Sequence, residues 1–397
     1  MTAIDFIVQD LVNAMEHLAP LKHAESWDKV GLQLGDPKRS ITGPILLTID
    51  LSERVLQEAI NLSASAIVAY HPPIFHPLEA LTDATHTQRI IRGAAEANIA
   101  IYSPHTALDA TIHGVTDWLC EGISAQPNQA APNIIQGDCR ALSPSAGGDP
   151  SREVKVITFV PCANVDELRN ALGTAGAGGI GNYRLCSFNT RGEGTFMPQE
   201  GAEPTIGEID TLERVAETRI EMVCSKHALA LVIETLKEFH PYEQPAYDIV
   251  ELVPEPLRKV GVGRRLVLDQ PATMDEIADR LKAHLDHARI RYALATKQSH
   301  KFSTIGVVPG SGGSLAKLAK QEGCELFITG EMTHHEILAA SQSGLSVLLA
   351  GHTNTERGYL PRLQKNLQDQ LAGKLARQDN TIKVLISTTD QDQITVG

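Results

Sequence analysis

Apolar residues fall in short runs along most of this chain, with polar and turn-forming residues between them. Residues 44–49 (PILLTI), 66–70 (AIVAY) and 99–102 (IAIY) are short and rich in β-formers, so each predicts a buried strand. The intervening 52–62 and 85–97 carry helical spacing. The last third repeats the pattern, with strands predicted at 304–308, 326–329 and 346–349 and a helix after each. Such alternation predicts mostly parallel sheets with helices on both faces. The middle reads differently. Residues 126–150 are rich in Pro, Gly, Ala, Asn and Ser and read as a linker. Beyond them come strand 154–160, helix 165–172, a glycine-rich passage, strand 218–224, helix 228–239 and strand 246–252, the order of a ferredoxin-like module. The expected organisation is an α/β half over 1–125, a linker over 126–150, an inserted α+β module over 151–255 and a second α/β half over 256–397.

Composition narrows the function classes. In 397 residues, 48 acidic side chains outnumber 35 basic ones, and the net charge of −13 argues against general affinity for nucleic-acid phosphates. Aromatic residues make up only 4%, so no stacking platform for single strands is evident. The six cysteines include no C-x-x-C pair, which excludes common zinc-finger spacings and suits a reducing compartment. The start, MTAIDFIVQDLVNAMEHL, lacks the basic and apolar regions of a signal peptide, and no run approaches a membrane span. A cytoplasmic location is expected, without membrane partners.

Four predicted strands run directly into polar side chains. The run 66–70 meets His71; 99–102 meets Ser103-Pro104-His105, with Asp109 four residues on; 326–329 meets Gly330-Glu331; and 346–349 leads to Gly351-His352, with Glu356 four positions further. In open α/β sheets, sites gather beyond the carboxyl ends of strands. A helix starting at Gly351 stacks His352 and Glu356 on one face, as helical metal ligands are. These endings predict a cation held by His71, Asp109, His352 and Glu356. Taken singly, His71 also reads as fixing its Pro-Pro turn, and Asp109 as capping a helix over 113–122. Mixed imidazole and carboxylate ligation suits zinc, iron, manganese or nickel better than calcium, at one or two ions per chain. His105 reads as a proton-transfer group, a fifth ligand or a partner of one. Glu331 reads as a group that orients water, holds a ligand in place, or simply opens a helix.

Two glycine-rich stretches get different readings. Residues 176–181 spell G-x-G-x-x-G but follow a helix pattern, so they predict a turn-forming loop and not a dinucleotide site. Residues 309–314 (PGSGGS) follow a strand and open a helix, so the amides of Ser311, Gly312 and Gly313 read equally as an anion cradle or a tight turn.

Several motifs carry a resemblance over essentially the whole length: SWDKVGLQLGD, AYHPPIFHPL, IYSPHTALDA, GSGGS, ITGEM and GHTNTERG. Through them the chain resembles the Nif-three-like family (NGG-one-interacting factor three), whose members are often called GTP cyclohydrolase I type 2 homologues. The middle region (GAGGIGNYRLCSF, GEGTF, HPYEQPAYDI) resembles the CutA/PII-like insertion of longer bacterial members. The resemblance implies that His71, Asp109, His352 and Glu356 match positions binding a dinuclear metal centre, inside a ring-like homohexamer. Tyr70-His71 stands where many bacterial members carry two histidines, and Lys29 replaces a common asparagine. The function so implied is a metal-dependent hydrolase using activated water on a nucleotide or related phosphate-bearing heterocycle. The alternatives are a non-catalytic metal-binding or regulatory scaffold and a metal-dependent phosphoesterase.

Overall fold

A computed structural model of the chain describes residues 6–287, 289–375 and 382–392. Two compact units emerge, one combining Met1–Ser145 with Leu257–Gly397 and the other formed by Ala146–Pro256.

The larger unit holds two sheets. The first has five strands in the order Gly31–Leu34, Ala100–Ser103, Ala66–Ala69, Ile45–Thr48, Val384–Ile386. All run parallel except the edge strand Gly31–Leu34. The second has six, in the order Arg291–Ala293, Ser346–Leu349, Leu326–Thr329, Lys301–Val307, Glu255–Thr273, Gly137–Gly147, with a parallel centre. Arg291–Ala293 and Glu255–Thr273 flank that centre as antiparallel neighbours. Ile45–Thr48, Ala66–Ala69, Ala100–Ser103, Leu326–Thr329 and Ser346–Leu349 are buried at every position, because helices cover parallel sheets on both faces. Ser52 and Thr85 cap the helices Glu53–Asn61 and His86–Glu96, and a Thr333–Glu336 capping box starts His334–Gln342. One apolar cluster contains Ile45, Leu47, Val68 and Tyr102 from the first sheet with Ile305, Ile328 and Leu348 from the second. The two α/β halves therefore share a core, which fixes their strand ends relative to each other.

That core also encloses a charge. Arg264, 1% exposed, donates from Nε to Asp117 Oδ1 at 2.5 Å. Its Nη1 reaches the carbonyls of Gly261 and Gly263, and its Nη2 those of Ala110 and Thr111. The guanidinium thus pins the end of the helix His105–Ala110, which carries Asp109, to the long strand Glu255–Thr273.

The smaller unit is a four-stranded antiparallel sheet ordered Phe188–Phe196, Glu213–Cys224, Val154–Pro161, Tyr247–Glu251. Helices Val165–Thr174 and Leu229–Phe239 complete a β-α-β-β-α-β order and bury Leu168, Leu172, Val232 and Leu236 against Val156, Val160, Ile220 and Met222. This is the ferredoxin-like arrangement. Residues 176–181 form a loop closed by an isolated bridge between Ile180 and Tyr183.

One reading needs correction. Residues 126–150 are not linker throughout: Gly137–Gly147 is the edge strand of the six-stranded sheet. An edge position tolerates Pro144 and the polar side chains that masked the strand in the sequence. Gly137 and Gly261 mark its close approach to Glu255–Thr273, since a Cβ on either would lie about 2 Å from a backbone oxygen of the other strand. The helix expected over 113–122 spans Val115–Ser124 with Gly114 at its N-cap, so Asp109 does not cap it. Among the described residues, no helix is long and apolar enough to cross a membrane.

Candidate metal centre

The parallel strands end in tight polar turns on one side of the larger unit. His71 follows Ala66–Ala69, and Asp50 follows Ile45–Thr48 one strand away. His71 Nδ1 lies 2.9 Å from Asp50 Oδ1, which turns Nε2 toward Glu356 Oε2 at 3.5 Å. Across the centre, Glu331 follows Leu326–Thr329 and His352 follows Ser346–Leu349. His352 Nδ1 lies 2.9 Å from Glu331 Oε1, and its Nε2 lies 3.5 Å from Glu356 Oε1. The short helix Asn354–Arg357 carries Glu356 back over His352. Two imidazoles therefore bracket one carboxylate, each anchored from behind by another carboxylate, the arrangement that fixes tautomer and ring orientation in metal sites.

The donor set fits a divalent cation. One ligand atom from each of His71, His352 and Glu356 lies within 4.8 Å of the others. Tetrahedral bonds of about 2.1 Å put neighbouring ligand atoms roughly 3.4 Å apart, close to the two 3.5 Å separations observed. Glu356 is 3% exposed, and the nearest donor to its buried Oε2 is His71 Nε2, 3.5 Å away and too far for a good hydrogen bond. A buried carboxylate oxygen with no close donor is costly unless a cation or proton compensates it. Gly310, at φ +61°, keeps the space open: a Cβ there would sit 2.6 Å from Glu356 Oε1 and 3.2 Å from His352 Nε2. Burial opposes charge on His71, yet when no cation lies between them Asp50 and Glu356 outweigh it and push the imidazole up to about 10, so a proton on His71 and a bound metal would compete for the same carboxylate. Asp50 keeps its charge, since burial raises its carboxyl but the His71 hydrogen bond and charge pull it below the usual range.

Asp109 stands beside this triad but outside it. Its Oδ1 accepts a 2.5 Å hydrogen bond from the Tyr70 hydroxyl. Burial pushes its carboxyl up to about 7, against the pull of the Tyr70 hydrogen bond and His105. Burial and the Asp109 charge hold the Tyr70 phenol well above its ordinary range, so it stays a donor. The Tyr70 phenol is thus turned onto the fourth expected ligand.

His105, at φ +30°, opens the helix His105–Ala110. Its Nδ1 lies 2.8 Å from Asp28 Oδ1, and its ring packs 5.3 Å from His71 and 5.6 Å from Tyr70. Asp28 also accepts from the backbone and hydroxyl of Thr106. Trp27 and Phe75, 51% and 41% exposed, form an aromatic rim, with Trp27 6.0 Å from the His105 ring.

The glycine loop spends two of its amides within the protein. Gly310 N donates to Thr355 Oγ1 and Gly312 N to Thr329 Oγ1, both at 2.9 Å. The Glu336 carboxylate crowds Gly313, 2.4 Å from where a Cβ would be. Of Ser311, Gly312 and Gly313, one amide is thus engaged within the protein, and a carboxylate lies beside the third residue.

Sequence reasoning passed over Asp50 and Asp28. Asp50 sits where a strand-end rule would place it, after PILLTI; Asp28 lies in the tryptophan motif.

Residues 6–393 match the sequence model of the Duf34/NIF3 (NGG1p interacting factor 3) family. A GTP cyclohydrolase 1 type 2 homolog of Halalkalibacterium halodurans is 34% identical over 368 residues, covering 91% of this chain and 93% of its own. NIF3-like protein 1 of Rattus norvegicus is 31% identical over 97% of this chain and 92% of its own. A solved Bacillus cereus protein related to NIF3 superposes with a TM-score of 0.62 at 31% identity, covering all of both chains. Staphylococcus aureus protein SA1388 does so with a TM-score of 0.70 at 26% identity, again over all of both chains.

Proposed function

The chain belongs to the Duf34/NIF3 family, and we propose that it is a metal-dependent hydrolase acting on a nucleotide or related heterocycle. The buried Glu356 carboxylate, with an imidazole nitrogen 3.5 Å from each of its oxygens, carries the reading. His71, His352 and Glu356 would hold a divalent cation of the zinc, iron, manganese or nickel class, and Asp109 would stand next to it. Such an ion, when bound, supplies an acidified water and polarises a substrate oxygen. Asp50 and Glu331 orient the two imidazoles from behind. The Asp28 contact engages His105 Nδ1 and leaves Nε2 as the atom to carry a proton for substrate. Trp27 and Phe75 offer a partly exposed aromatic rim on which a heterocycle would pack.

Purified protein loaded with zinc or manganese and then desalted should retain about one or two ions per chain, and His352→Ala or Glu356→Ala should lose most of them. Turnover of GTP, other nucleotides or phosphoesters should require the metal and fall by about 10²- to 10⁴-fold in His105→Ala, with metal content unchanged. One observation favours a second reading: the Tyr70 hydroxyl occupies Asp109 and removes an anionic donor from the centre. Full metal loading with no turnover of any substrate class would select that reading, a metal-binding scaffold. Unchanged metal content in both ligand variants would defeat both.

A further inference from the structure

The smaller unit contains a cleft of about 680 Å³ that owes nothing to the metal centre. Its floor is the sheet face opposite the two helices. Cross-strand pairing puts Gly192 beside Glu217, Thr190 beside Arg219 and Phe159 beside Arg219 on that face. Two glycines inside one strand weaken it, and here they keep the floor bare. A Cβ on Gly192 would meet nothing within 4 Å, whereas one on Gly194 would lie 2.1 Å from Glu217 Oε2.

Glu217 is the unusual member, a carboxylate only 8% exposed in a cleft wall. A relay fixes its position. His240 Nε2 donates to the Phe159 carbonyl at 2.8 Å, and its Nδ1 accepts from Tyr242 N at 3.1 Å. The Tyr242 hydroxyl then donates to Glu217 Oε1 at 2.7 Å. This bond engages Oε1, and Oε2 lies over Gly194. Two residues on, Arg219 pairs Nη2 with Glu221 at 2.9 Å but keeps its Nε buried without an acceptor. Residues i and i+2 of a strand lie roughly 7 Å apart on one face. Phe196 and Tyr242, with ring centroids 5.4 Å apart, wall the cleft with Met197 and Ile206. The Thr205 hydroxyl on the Pro241 carbonyl and Glu203 N on Glu243 tie the loops over it.

We propose that this cleft is a second binding site, for a small amphipathic zwitterion of the α-amino acid class. The ammonium meets Glu217 Oε2, the carboxylate meets Arg219, and an apolar side chain fills the Phe196–Met197–Ile206 wall. A preorganised buried anion beside a cation and an apolar wall selects a molecule carrying both charges on adjacent carbons.

Calorimetric titration of the full chain with L-phenylalanine, L-leucine and L-methionine tests this, with and without EDTA. At least one should bind, equally in both conditions. For L-phenylalanine, the half-probes phenethylamine and 3-phenylpropionate should bind about tenfold more weakly or worse. Glu217→Gln should weaken binding about tenfold. A Cβ at Gly192 meets nothing within 4 Å, so Gly192→Leu should fill the floor and abolish binding, and it tests the site even if the first variant misfolds. No binding by any of the three amino acids, a half-probe that matches L-phenylalanine, or undiminished binding by Gly192→Leu would each overturn the assignment.

Discussion

Replacing Arg264 tests whether the buried guanidinium holds the Asp109 segment in place. Arg264→Met keeps most of the volume but removes the guanidinium from Asp117, which keeps only the amide of His113, and from the carbonyls of Ala110, Thr111, Gly261 and Gly263. Breaking a buried ion pair on one side costs about 3–5 kcal/mol. At about 2–4 °C per kcal/mol, the melting point should fall on the order of 10 °C. The assay is clean because the two tryptophans, Trp27 and Trp118, both lie in the larger unit. Urea unfolding followed by tryptophan emission therefore reports on that unit alone. Asp117→Asn should cost less, since the guanidinium keeps its carbonyl acceptors. The double change Arg264→Met with Asp117→Leu should recover part of the loss, because no orphaned charge remains. A single variant that loses under about 1 kcal/mol would show that the buried bonds sum to almost nothing, and the reasoning would fail.

Three further outcomes follow from the geometry. Tyr70→His exchanges the hydroxyl on Asp109 for an imidazole, so metal per chain, measured by elemental analysis, should rise; an unchanged or lower content would refute the link. Gly310→Val puts atoms onto Glu356 Oε1 and His352 Nε2, so it should reduce metal retention severely with every ligand intact; normal retention would contradict the placement. His284 packs 4.6 Å from Trp118, and burial holds its imidazole down to about 4. The unfolded chain binds this proton below about 6.5 while the folded chain refuses it, so stability present above that pH is lost as pH falls toward 4, by about 2–3 kcal/mol. His284→Leu should flatten that slope in urea titrations at pH 4.5 and 7.

The legible parts of the fold were those with local causes. Ile45–Thr48, Ala66–Ala69, Leu326–Thr329 and Ser346–Leu349 are buried on both faces, so continuous apolar runs announced them. Gly137–Gly147 and Val384–Ile386 were not legible, because each is held by a partner strand distant in sequence and not by its own composition. At the site, strand-end logic pointed to His71, His352 and Glu356, which do converge. It could not show that Tyr70 would engage Asp109, nor that Thr329 and Thr355 would consume two amides of the glycine loop. Those bonds depend on which strand ends meet, a property of topology.

Val384–Ile386 closes the first sheet from the far end of the polypeptide. Just beyond it, Glu58 grips Ser387, Thr388 and Thr389, and Asp390 accepts from Ile49 N. The sheet whose strand ends carry Asp50 and His71 is therefore incomplete until residues 384–390 are in place. The Ala146–Pro256 unit has all its strands in one continuous stretch and has no such dependence. Loss of Val384–Ile386 would then spare the smaller unit and leave Ile45–Thr48 as an open, adhesive sheet border.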